Sequence, residues 1–158
     1  LTTHPFQAIR WKNNKIYVNG KSLIDFVREM RDAIERGEME EVLQLDLKLN
    51  TPYLLNLSDA YSFILLREES GIKLVYPLPL GCEEYDLKEG ANIIGRNPES
   101  SDPGDNIVTL QNTVISRTHA RITVSGNNIT VENLSQRGST KLWFIYIYHL
   151  FLNLMSNC

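Results

Sequence analysis

From Tyr85 to Glu132 the chain is cut into short apolar runs by turn-forming residues about every ten positions, and that spacing is the pattern of a β-sandwich. The expected strands are Tyr85 to Leu87, Asn92 to Gly95, Ile107 to Leu110, Ala120 to Val124 and Ile129 to Glu132. Turns are expected at Lys88-Glu89-Gly90, from Asn97 to Asp105 and at Gly126-Asn127-Asn128. Arg121, Thr123 and Ser125 alternate with Ile122 and Val124, and Thr130 and Glu132 with Ile129 and Val131. One face of that hairpin is therefore buried and the other is wet.

The N-terminal part has a different period. Ala8 to Trp11 and Lys15 to Val18 flank Asn13-Asn14, a pair that tolerates positive φ, which predicts a short β-hairpin. From Ser22, residues Leu23, Phe26, Val27, Met30, Ala33 and Ile34 recur at three- and four-residue steps, and Arg36-Gly37 closes the run as a helix C-cap. Met39, Val42, Leu43 and Leu47 extend a helical period to Asn50, where Pro52 stops it, so a second helix is expected. Ser58-Asp59 caps an expected third helix through Tyr61, Ile64 and Leu65 to Gly71, although Phe63-Ile64-Leu65-Leu66 would equally make a buried strand. Lys73 to Leu80 alternates, and its Pro77 and Pro79 point to an edge strand.

These readings give an α+β chain. A mainly helical region (1–70) precedes an antiparallel β-sandwich (71–141), and an apolar tail (142–158) has no glycine or proline to turn it. That tail is shorter than the ~18 residues a membrane-spanning helix needs. Leu1 to Arg10 lacks the basic start and apolar run of a signal peptide.

With 158 residues there is room for one domain with a sizeable core, or a small domain with an extension. The formal net charge of −3 gives no general attraction to nucleic acid or anionic membrane, so any hold on phosphate must come from locally placed arginines. Cys82 and Cys158 fit neither a zinc spacing nor a disulfide framework, which agrees with a reducing, cytoplasmic setting. No metal or cofactor is expected: there is no Gly-rich phosphate loop before a helix and no His/Cys/carboxylate cluster at metal spacing. An enzyme would have to use Ser116, His119 and an acid such as Asp105, without a Gly-x-Ser-x-Gly elbow. A non-catalytic chain is expected.

Three loop signals punctuate the sandwich: Gly95-Arg96, Ser116-Arg117-Thr118-His119 and Ser135-Gln136-Arg137-Gly138-Ser139. Arg96 follows an apolar strand directly and Ser116-Arg117 precede another, so both can converge at strand ends. A receptor for a phosphorylated side chain needs rigidly held donors, preferably including an arginine fork, and these residues are of that type.

In that order, over roughly Lys73 to Thr140, they resemble the signature of the forkhead-associated domain, a phosphothreonine-recognition module of the arginine-cluster kind. The resemblance implies that Arg96, Ser116 and Arg117 hold the phosphate, that Gln136 and Arg137 border the peptide, and that Gly95, His119 and Gly138 support the loops. It also implies a partner protein carrying phosphothreonine, made by a separate Ser/Thr kinase. Two departures stand out. Arg137 occupies the place of the asparagine that clamps the ligand's main chain, and an arginine only donates hydrogen bonds. The family also continues past this turn with strands that close the sandwich, which Leu142 to Cys158 lacks the turns to supply. An incomplete sandwich with open edges is therefore expected, from a sequence fragment or altered reading frame after Lys141, with a strand at Leu142 to Tyr148 or a tail that docks on a partner as the alternatives. The alternative function is a phosphate-independent interaction module that uses the helical region, through Leu23, Phe26 and Met30, or the apolar tail.

Overall fold

The computed structural model describes residues 9–12, 15–18, 21–37, 39–58, 61–78, 81–100 and 102–145. The Asn13-Asn14 turn, Asp59, Pro79, Leu80 and the tail beyond residue 145 lie outside the described residues.

The expected hairpin is present. β1 (Ile9–Lys12) pairs antiparallel with β2 (Lys15–Val18), and β3 (Lys21–Ser22) adds to β2. The expected first helix follows as α1 (Leu23–Glu35). Ser22 caps it with extended backbone, its hydroxyl accepting from the Asp25 N–H at 3.4 Å. Gly37 ends it in the left-handed region at φ 72, where a side chain would be strained.

Two larger sheets make up the rest. The six-stranded sheet has the order β4 (Met39–Val42), β14 (Thr140–Ile145), β6 (Tyr53–Leu57), β7 (Tyr61–Glu68), β8 (Gly71–Leu78), β9 (Gly81–Leu87). The five-stranded sheet has the order β11 (Asn106–Thr109), β10 (Gly90–Gly95), β12 (Ala120–Ser125), β13 (Asn128–Asn133), β5 (Gln44–Asp46). Their inner faces share one core, in which Leu55, Phe63 and Leu74 of the first meet Ile94, Ile122 and Ile129 of the second. The outer face of the six-stranded sheet is covered by α1, whose Leu23, Phe26, Val27, Met30 and Ala33 pack on Leu54, Ile64, Leu66 and Val75. Helix, sheet and sheet thus form three layers.

The expectation of a mainly helical N-terminal region is corrected. The second expected helix is β4 and β5, and the third is β7, the strand that Phe63 to Leu66 also allowed. The physical reason is that β7 is buried on both faces: Phe63 and Leu65 point to the sandwich core, Ile64 and Leu66 to α1. A strand covered on both sides reads as a continuous apolar run and loses its period of two. Leu45 in β5 and Leu47 just after it pack on the core, while Leu43, between β4 and β5, is two-thirds exposed, at 67%.

Three further expectations change. β8 is an interior strand between β7 and β9, not an edge. Its Pro77 lies past the last residue paired with β7, Val75, so on that flank the missing N–H removes no ladder bond. The sandwich is not wholly antiparallel, because β10 and β11 run parallel, joined by the long polar loop after Arg96. Finally, the edges expected to stay open are occupied: β13 pairs with β5, and β14 pairs with β4 on one side and β6 on the other. The neighbours come from the N-terminal half. The position near Ser70 that divides the chain by composition is the turn of the β7–β8 hairpin.

Candidate functional site

Gly95 ends β10, and the loop before β12 is laced to it by backbone hydrogen bonds. The His119 N–H donates to the Ile94 carbonyl (2.8 Å), the Arg96 N–H to Ser116 (3.1 Å) and the Asn97 N–H to Arg117 (3.0 Å). That lacing needs glycine at position 95. A Cβ there would run into the Arg117 carbonyl oxygen and come within 2.7 Å of its carbon. Gly95 is required for close approach rather than for an unusual φ. The Arg96 side chain is exposed, and its Nε donates to the Ile115 carbonyl at 3.3 Å, which anchors the guanidinium stem beside Ser116.

His119 is fully buried at 0% exposure. Its Nδ1 accepts from the Ser116 N–H at 3.0 Å, and its Nε2 lies 2.9 Å from the Ser139 carbonyl. A backbone N–H only donates and a carbonyl only accepts, so the ring is the neutral Nε2–H tautomer. It bridges the Ser116 loop to the Ser135–Ser139 turn. A second bridge runs between the hydroxyls of Ser116 and Ser135, 2.5 Å apart. Ser135 Oγ also accepts from the Gly138 N–H at 2.8 Å. With Ser135 donating to Ser116, the Ser116 hydrogen remains available to a ligand.

The turn itself is braced by Asn133, a residue that sequence reasoning passed over. Its Nδ2 donates to the carbonyls of Ser135 (3.0 Å) and Gly138 (3.2 Å), while its Oδ1 accepts from Thr140 Oγ1 (2.9 Å). Gly138 is packed so closely that a Cβ would collide with Ser58 Oγ and approach His119 Cε1 to 3.0 Å. Ser58, between β6 and β7, sits at φ 55 and donates its N–H to the Ser139 carbonyl at 3.0 Å. Its sequence context suggested a helix cap, and only the pairing of β6 with β14 brings it here.

These loops enclose an open cleft of about 900 Å³. Arg96, Ser116 and Arg117 line it together with Gln136, Arg137 and Gly138, so the structure brings the ligand-contacting candidates into one place. Gly95 and His119 lie behind its wall. Thr113, Val114 and Thr118 add wall residues that sequence reasoning did not single out, and Val114 is half exposed there. Among the described residues no aspartate or glutamate lines the cleft. Among the described residues Arg96, Arg117 and Arg137 make no ion pair, whereas Arg28 and Arg121 are paired with Asp25 and Glu132. Among the described residues no group of three or more His, Cys, Asp or Glu could hold a metal ion, and no helix is long and apolar enough to cross a membrane.

No curated protein and no solved structure gives a significant match to the chain. The family model described as FHA domain matches residues 92–143, the stretch that carries every residue of the site described above except Ser58, and the β-rich fold around it is consistent with that family of generally non-catalytic phosphopeptide-binding modules.

Proposed function

We propose that the cleft captures a phosphothreonine-containing segment of a partner protein and performs no chemistry on it. In this reading the Arg96 guanidinium and the Ser116 hydroxyl hold the phosphate, Arg117 adds a second positive charge, and Gln136 and Arg137 border the peptide on the opposite wall. Gly95, His119 and Gly138 keep the two walls at a fixed separation. The observation that carries the reading is three arginines that make no ion pair among the described residues, gathered with the Ser116 hydroxyl around one cleft that no described carboxylate lines. In a chain of net charge −3 such a cluster is a local feature, suited to an anion of −1.5 to −2 charges with three acceptor oxygens. The partner would be the substrate of a separate Ser/Thr kinase, met in the cytoplasm.

The alternative reading drew on the apolar stripe of α1. Phe26 and Met30 are spent in packing on the six-stranded sheet, at 1% and 0% exposure, so that stripe offers no free surface. A phosphothreonine peptide library screened by fluorescence anisotropy tests the proposal. Binding should require the phosphate and should fall at least tenfold in Arg96→Ala and in Ser116→Ala, the loss of about one charge-assisted hydrogen bond. Equal affinity for phosphorylated and plain peptides would overturn it.

A further inference from the structure

Three guanidiniums around one cleft carry more positive charge than one phosphate ester neutralises. At pH 7 the ester supplies about −1.5 to −2, which leaves roughly one positive charge of the three unmatched when a single phosphothreonine is bound. Among the described residues no lining carboxylate balances it, and none of the three arginines is ion-paired. The three are also not equivalent in position. Arg96 and Arg117 belong to the wall laced onto the end of β10, and Arg96 is tethered there through the Ile115 carbonyl. Arg137 belongs to the Ser135–Ser139 turn, the other wall, and is exposed at its tip. The two walls are fixed relative to each other by the Ser116–Ser135 hydroxyl pair and by His119. If the phosphate sits on Arg96, Ser116 and Arg117 of the first wall, Arg137 of the other wall is left to a different group of the same ligand. Since arginine offers only donors, that group is an acceptor, and the unmatched charge favours an anionic one.

We propose that the cleft selects doubly anionic peptides: a phosphothreonine on Arg96, Ser116 and Arg117, with a second acidic or phosphorylated residue a short distance along the chain held by Arg137. This rests on the phosphopeptide reading of the cleft. It assigns to Arg137 the choice among phosphopeptides rather than the capture of phosphate as such.

The test uses the full chain and fluorescently labelled peptides with one phosphothreonine in a neutral background, against a set in which aspartate or phosphoserine is placed singly at each of the flanking positions. The readout is the ratio of Kd for the singly anionic peptide to Kd for the doubly anionic one. A ratio of about 3 to 10 is expected at one or two flanking positions. It should fall to about 1 in Arg137→Gln and below 1 in Arg137→Glu, whatever happens to absolute affinity. A ratio near 1 at every position in the unmodified chain, or a gain that survives Arg137→Gln, overturns the inference while leaving the phosphopeptide reading intact. No binding of any phosphopeptide, or equal binding of an unphosphorylated polyacidic peptide, overturns that reading and the inference with it.

Discussion

Replacing His119 with alanine separates what holds the cleft from what lines it. The ring is fully buried and joins two loops by two hydrogen bonds. Its loss leaves the part-buried Ser116 N–H without the acceptor it has in the native fold, at a cost of about 1–2 kcal/mol. The Ser139 carbonyl keeps the Ser58 N–H at 3.0 Å, so that side costs only ~1 kcal/mol, the net worth of one bond. The vacated ring leaves a cavity beside Gly138, worth roughly another 1–2 kcal/mol by comparison with large-to-small core substitutions. The sum is about 4 kcal/mol, a large share of the ~5–15 kcal/mol by which a domain is folded. Urea unfolding followed by circular dichroism should show the unfolding free energy lowered by that amount, through a lower midpoint with the slope unchanged. Arg117→Ala is the comparison: the side chain is exposed and makes no ion pair among the described residues, so the unfolding free energy should change by no more than ~0.5 kcal/mol while peptide affinity falls. A His119→Ala chain within ~1 kcal/mol of the parent would refute the strut argument.

Other outcomes follow from the same geometry. Gly95→Ala should lose more than ~2 kcal/mol of stability and most peptide binding, because the new Cβ meets the Arg117 backbone rather than a movable side-chain tip; an unchanged melting curve would contradict this. Tyr61 is buried in the sandwich core, and burial, with Tyr76 and Glu83 adding to it, pushes its hydroxyl up to about 12, while Asn112 pulls the other way. The folded state thus favours neutral Tyr61, a contribution complete below pH 10 and lost as pH rises towards 12. Tyrosinate absorbance should lag that of the unfolded chain across this window, and the lag should shrink in Tyr61→Phe. Peptide affinity should weaken as salt is raised and as pH drops through the second phosphate pKa near ~6, since both reduce the attraction between the ester and the arginines. A salt-independent Kd would argue against electrostatic capture.

The elements with one wet face were legible. In β12 and β13 polar and apolar residues alternate, and their strand ends and the Gly126 turn fall within a residue or two of expectation. α1 was legible for the same reason, with one buried stripe and caps at both ends. β6 and β7 were not, because with α1 on one side and the second sheet on the other the runs Tyr53 to Leu55 and Phe63 to Leu66 are apolar on both faces, and the period that distinguishes strand from helix disappears. β4 and β5 are too short to show a period and take their conformation from β14 and β13, partners far away in sequence. The loop motifs carried the residues of the cleft because arginine, serine and glycine at strand ends are local signals. Ser58 carried none, since its place depends on which strand β14 pairs with. Asn133 looked like an ordinary end of strand, and its bracing of the Ser135–Ser139 turn is visible only in the folded chain.

The reading of the cleft is tested most directly by amide NMR of the labelled chain titrated with one peptide in two forms, threonine and phosphothreonine. The phosphorylated form should shift the amides of Arg96, Ser116, Arg117 and Arg137 in a saturable way that Arg96→Ala abolishes, while the plain form leaves them in place. Saturable shifts that cluster elsewhere, or that are the same for both forms, would contradict the assignment of this cleft to phosphate capture.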